Sequence, residues 1–389
     1  MHHLVARQKS TASLRRKRSE ASLVTSVTPS DQRPREEKSA PYRNASYPTL
    51  LETLGDSYMD ESKLGISDAS KEVHHNLLQM EHTAPNDTLF RDDVFYTACR
   101  NLRDKNEARV IQDIARLLAP SPEALAAFGA SNLDVLVESV NEGWSNCVPV
   151  TNPRPQPDFS VGFGRSIFSD DQLSKIQPLL GDPSCLSYLR ATFYMYFPFL
   201  TCETKCGTTA LEIADRQNAH SMTLAVRGIV ELFKLAKREK ELHRELLTFS
   251  ISHDHRTVRL YGYYPIFDGP KTKIYRHPIH TFDITALDGK ERWTTYSFTV
   301  AVYNHSLTLL KRICSVIDEL PPDLGLEHSQ TSEPQASEPS GLSQQLENQA
   351  LAEDLGIQSS HIDLQQITPE ASMQAEKPAS KKKKGKVTR

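Results

Sequence analysis

The stretch Ala191 to Cys202, ATFYMYFPFLTC, constrains this chain more than any other, because nearly every position in it is aromatic or aliphatic. A run with neither helical nor alternating period reads as a strand buried on both faces, which requires a sheet covered by helices on each side. Pro198 lies inside it and has no N–H for a ladder bond, so it marks a bulge or an edge. The run ends in Glu203-Thr204-Lys205. Side chains two apart on a strand share a face, so Glu203 and Lys205 project together and Thr204 points away. Burying both charges costs several kcal/mol unless they pair or bind a ligand.

The flanking sequence supplies the covering layers. Apolar residues at helical spacing predict helices over 92–102 and 106–118, the second carried by Ala108, Ile111, Ile114, Ala115 and Leu118 and stopped by Pro120. A further helix is expected over 131–144, with Leu133, Leu136, Val137 and Val140 on one face. Pro153, Pro155 and Pro157 form a stiff lead into a strand over 158–163, and Ser169 is placed to cap a helix over 169–180. One long helix is expected over 211–243, broken near Lys240. Strands over 246–252, 257–266 and 273–284 and a last helix over 297–319 follow. This order suits an α/β sandwich with a mixed central sheet.

Only 38% of the residues are hydrophobic, below the ~45–50% of a wholly globular chain, so part of it is not expected to fold alone. The expectation is a basic disordered tail over 1–45, a partly ordered lead-in over 46–84 with a short docking helix, one domain over 85–320, and a disordered acidic linker over 321–389 ending in a basic tail. Basic runs at Arg15-Arg16-Lys17-Arg18 and Lys381 to Lys384 suit nuclear import or salt-sensitive contact with nucleic acid. The bland alternative is solvated tails in a cytoplasmic protein. No apolar run approaches the ~18 residues of a membrane span and no signal peptide is visible, so no membrane partner is expected and the six cysteines read as buried thiols.

Pro157-Asp158 heads one strand and Glu203-Thr204-Lys205 closes another. Two carboxylates suit a hard oxygen-seeking ion such as Mg²⁺, and a nearby lysine can orient water and offset charge on phosphorus. Asp158, Glu203 and Lys205 resemble, in order and strand context, the signature of the PD-(D/E)XK nucleases. That resemblance implies a restriction-endonuclease-like fold, Mg²⁺ or Mn²⁺ bound by Asp158 and Glu203, a catalytic Lys205, and DNA or RNA as partner. It further implies a polar helper on the following helix, for which Gln217 is suited, and an acidic residue from a preceding element. Glu107 and Glu138 are the two candidates, with Glu138 preferred for its nearness to the strands. The structural alternative is a strand-end salt bridge beside an aspartate that caps a turn.

A second resemblance covers most of the expected domain. RPQPDFSVGFGR, YMYFPFLTCETKCG, ADRQNAHSMTLAVRG, FSISHDHRTVRLYGYYPI and YRHPIH are similar to an uncharacterised fungal domain family, and NEARVIQDIARLLAPS and KRICSVIDELP extend the likeness at either end. Relatives carry a Trp-containing segment where this chain has NHSLTLL before Lys311, which implies an altered last helix. His253-Asp254-His255, with His277 and His280, could offer metal ligands, but Asp254-His255-Arg256 also reads as a hairpin turn. Arg165, Arg216, Arg227, Arg256 and Arg259 could line a nucleic-acid groove or be ordinary surface charges, and Gly207 could end the strand. The leading expectation is therefore a metal-dependent nuclease. The alternatives are an inactive nucleic-acid- or protein-binding module of the same fold, and a non-enzymatic effector or toxin-like protein.

Overall fold

The computed structural model describes residues 35–80, 83–206 and 211–321. Both basic runs, the acidic linker beyond residue 321 and Gly207 lie outside the described residues.

In chain order, helices α1 (Arg35–Arg43) and α2 (Tyr47–Gly55), strand β1 (Ser57–Tyr58) and helix α3 (Asp68–Gln79) come first. Helix α4 (Phe95–Leu102) follows, and α5 (Glu107–Val110) runs through a π turn at Ile111–Ala115 into α6 (Arg116–Leu118). After α7 (Pro122–Ala127) come β2 (Leu136–Val140), β3 (Phe159–Gly164), α8 (Asp170–Leu180), β4 (Met195–Thr204) and α9 (Leu211–Leu235). Strands β5 (Thr248–His253), β6 (Thr257–Asp268) and β7 (Lys271–Asp283) lead to α10 (Thr294–Glu319).

The strands form one mixed sheet in the order β1-β7-β6-β5-β4-β3-β2. The β4–β5 and β1–β7 pairs are parallel and the rest antiparallel. Strand β4 lies inside the sheet between β5 and β3 and is buried at all its positions, as its composition requires. It begins at Met195 and runs on through Thr204, so Glu203 is part of the ladder itself. Helix α9 covers one face, where its Asn218 accepts a hydrogen bond from Thr201 on β4 and donates to the Ile251 carbonyl on β5. On the other face Phe249 of β5 meets Phe298 of α10 edge to face. Among the described residues no helix is long and apolar enough to cross a membrane.

Pro198 sits in the middle of the sheet at a bulge. Strand β3 pairs Val161 with Leu200 and Phe163 with Tyr196, so β4 carries extra residues there and Phe197 turns to φ 43°. Gly162 makes this possible: a Cβ there would lie 2.6 Å from Met195 and 2.8 Å from the Tyr196 carbonyl oxygen.

Three expectations change. Residues 131–144 are not a helix: after a single 3₁₀ turn at Ser131–Leu133 the chain becomes edge strand β2, pairing Leu136 with Phe163 and Val140 with Phe159. The apolar spacing there fits both forms, and β3 beside it supplies the ladder that β-branched Val135, Val137 and Val140 favour. Helix α9 stops at Leu235, ahead of the break expected at Lys240: Lys237 turns left-handed at φ 60° and the Arg238 amide closes back on the Phe233 carbonyl. The packed body also begins earlier than residue 85. Tyr42, Tyr47, Leu51, Ile66 and Leu77, from α1 to α3, are buried in the common core, and β1 adds to the edge of β7. These short segments hold few apolar residues, and packing on the sheet and α9, not propensity, orders them. The NHSLTLL stretch lies within an uninterrupted α10.

Candidate functional site

The antiparallel register of β3 and β4 sets Phe159 opposite Cys202 and so brings Asp158 level with Glu203. Asp158 Oδ2 accepts the Thr204 amide at 2.8 Å, which ties the head of β3 to the end of β4. The Lys205 ammonium lies 3.7 Å from Glu203 Oε2 and donates to the Thr204 carbonyl at 2.9 Å. Relative exposures are 4% for Asp158, 2% for Glu203 and 3% for Lys205. Two carboxylates and one ammonium are thus held together where water barely reaches, an arrangement that is costly unless neighbours or a ligand compensate.

Thr204 points to the opposite face, as the two-residue period demands, and its hydroxyl lies 3.0 Å from His253 Nε2. His253 Nδ1 donates to the Asp254 carbonyl at 2.8 Å, so Nε2 accepts the threonine hydroxyl. Burial holds this imidazole below its ordinary pKa and therefore neutral. The Lys205 amide donates to the His253 carbonyl at 2.8 Å. This end of β4 is thereby clamped by β3 on one side and β5 on the other.

Asp158, Glu203 and Lys205 open into a cleft of about 430 Å³ that Gln217 of α9 and Glu107 of α5 also line. Glu138 is elsewhere, on the edge strand β2, where Arg116 donates to its Oε1 at 3.1 Å and its own amide donates to Glu123. Nearness in sequence favours Glu138 only if residues 131–144 are a helix; with β2 a strand, Glu107 is the acidic side chain that reaches the cleft. Arg154 and Gln156, from the proline-rich lead, form part of one wall.

Ser39, Tyr42 and Arg43 of α1 form another wall, and nothing in the sequence singled them out. Tyr42 is 3% exposed; its hydroxyl lies 3.0 Å from His220 Nδ1 on α9, and its carbonyl accepts Arg216 at 2.9 Å. Burial, then the charges of Tyr47 and Glu203, hold the Tyr42 phenol well above its ordinary range. Burial drives His220 down to about 3. Both groups are neutral, which suits a hydrogen-bonded pair beneath a charged cluster.

The remaining candidates disperse. Asp254 Oδ1 accepts the amides of Arg256 and Thr257, so the His253 to Arg256 segment is a hairpin turn. His277 meets Glu61 and His74, and His280 meets Glu291. Among the described residues no group of three or more His, Cys, Asp or Glu side chains is arranged around one point. Arg216 holds Tyr42, Arg256 pairs with Asp283, and Arg259 pairs with Asp215 and Glu212; Arg165 is exposed and Arg227 lines a different cleft. None of the six cysteines, all among the described residues, forms a disulfide.

Fold and site together define an α/β protein on a mixed seven-stranded sheet, with a buried carboxylate–lysine cluster at the end of its inner strand β4. The chain belongs to the family described as Domain of unknown function (DUF7924), whose model matches residues 94–317, more than half its length. Comparison with curated proteins and with solved structures finds no match. Glu107, Asp158, Glu203, Lys205 and Gln217 fall inside the matched segment, and Tyr42 falls outside it.

Proposed function

We propose that this domain hydrolyses phosphodiester bonds of nucleic acid with Mg²⁺ or Mn²⁺, through a site of the PD-(D/E)XK kind. The observation that carries this reading is the buried Asp158–Glu203–Lys205 cluster at the floor of a cleft. The donor set suits the ion, because Mg²⁺ keeps several waters and needs only one or two carboxylates besides substrate phosphate. Asp158 and Glu203 would hold it, and when bound it would polarise the scissile phosphate and help supply hydroxide. Lys205 orients the attacking water and offsets charge on phosphorus, Gln217 steadies water or substrate, and Glu107 stands as the additional acid. A restriction-endonuclease-like ancestry belongs to the same proposal. A nuclear location would bring the domain to such a substrate.

One observation favours a second reading, an inactive binding module of the same fold: the Lys205 ammonium already bonds inward to the Thr204 carbonyl and Glu203. Isothermal titration of Mg²⁺ and Mn²⁺ into the full chain, beside Asp158→Ala and Glu203→Ala checked for folding by circular dichroism, separates the two. We expect saturable binding lost in both variants, and metal-dependent cleavage of nucleic acid reduced about 10²–10³-fold by Lys205→Ala. No heat at millimolar metal, with or without nucleic acid, would leave a structural salt bridge and the binding module.

A further inference from the structure

We infer, resting on the phosphodiesterase reading above, that the substrate is a single strand or a strand end, and that helix α1 is what excludes internal duplex. Asp158, Glu203 and Lys205 lie at the floor of the cleft, each at most 4% exposed. A cleft of about 430 Å³ falls in the size range that encloses a small ligand, enough for a nucleotide unit with its neighbours leading out. A flexible strand can bend a phosphate down into such a space. A duplex presents its phosphates on a rigid rod, and enzymes whose chemistry lies inside a pocket act on single strands or must first pull a nucleotide out.

The wall that closes the cleft is built in rather than loosely laid over it. Tyr42 is buried, its hydroxyl meets His220 and its carbonyl accepts Arg216, so α1 is pinned to α9 at two points. Two arginines stand above the floor. Arg43 on α1 and Arg154 in the proline-rich lead both line the cleft, where they can meet backbone phosphates. Arg256 and Arg259 are instead held by Asp283, Asp215 and Glu212. The lining as a whole balances three cationic side chains, Arg43, Arg154 and Lys205, against Glu107, Asp158 and Glu203, so it is the depth and enclosure of the floor that favour a single strand.

The test uses the full chain with Mn²⁺ and a short fluorescein-labelled strand, as DNA and as RNA, against the duplex made from it and a covalently closed duplex circle. Binding is followed by anisotropy and cleavage on gels. We expect the single strand to bind and to be cut about tenfold or more in preference to the duplex, with the circle untouched. Arg43→Ala with Arg154→Ala should weaken single-strand binding and reduce its log–log salt dependence by roughly 0.7 for each phosphate that is no longer neutralised. Duplex or circle bound and cut as readily as the single strand would overturn the inference and leave the phosphodiesterase reading standing. Wild-type protein that neither binds nor cuts any of the probes would overturn both.

Discussion

At the scale of the residue, the site region depends on buried polar groups that are neutral, and His220 is the clearest case. Its ring is fully buried on α9 and its folded pKa is about 3, against ~6.5 in an unfolded chain. A depressed histidine means that the unfolded state takes up a proton first as pH falls. Its contribution to stability is therefore complete above about pH 6.5 and is lost as pH drops toward 3, at up to about 1.4 kcal/mol per pH unit. His220→Gln can still face the Tyr42 hydroxyl and does not titrate. Its unfolding free energy, measured by urea across that window, should fall less steeply with acid than that of the wild type. Parallel profiles would show that His220 takes up its proton in the folded state as readily as in the unfolded one.

At the scale of the element, local chemistry was readable where it did not depend on a neighbour. Helix α8 is such a case: the Ser169 hydroxyl accepts the Gln172 amide and the Gln172 side chain returns to the Ser169 amide, a complete capping box. Ser169→Ala should cost about 1 kcal/mol, seen as a lower urea midpoint with an unchanged slope; a shift within error would mean that packing alone holds the helix start. Strand β2 is the opposite case. Leu133, Leu136, Val137 and Val140 have helical spacing, yet Leu136 is buried and Val140 is 51% exposed, and the pairing with β3 decides their form.

At the scale of the whole molecule, α1, α2 and α3 belong to the body that carries the site, although the family match begins at residue 94. Fully burying one large apolar side chain is worth about 1.5–3 kcal/mol, and net stabilities run to only ~5–15 kcal/mol. A fragment of residues 85–321 lacks Tyr42, Tyr47, Leu51, Ile66 and Leu77. It should show a much lower melting temperature than residues 35–321, or bind a hydrophobic dye without a cooperative transition. Equal melting temperatures would mean that the N-terminal helices only decorate a self-sufficient core.

The sequence by itself determined the buried strand β4, an interruption of its ladder at Pro198, the shared face of Glu203 and Lys205, and the capped start of α8. These follow from the two-residue period of a strand, the missing proline N–H and interactions within one turn, all local in the chain. Tertiary structure decided that Pro198 marks a bulge and not an edge, that Asp158 stands level with Glu203, that Glu107 and not Glu138 reaches the cleft, and that Tyr42 lines it. Each of those depends on strand register or helix docking between residues dozens of positions apart, and no local pattern encodes the partner.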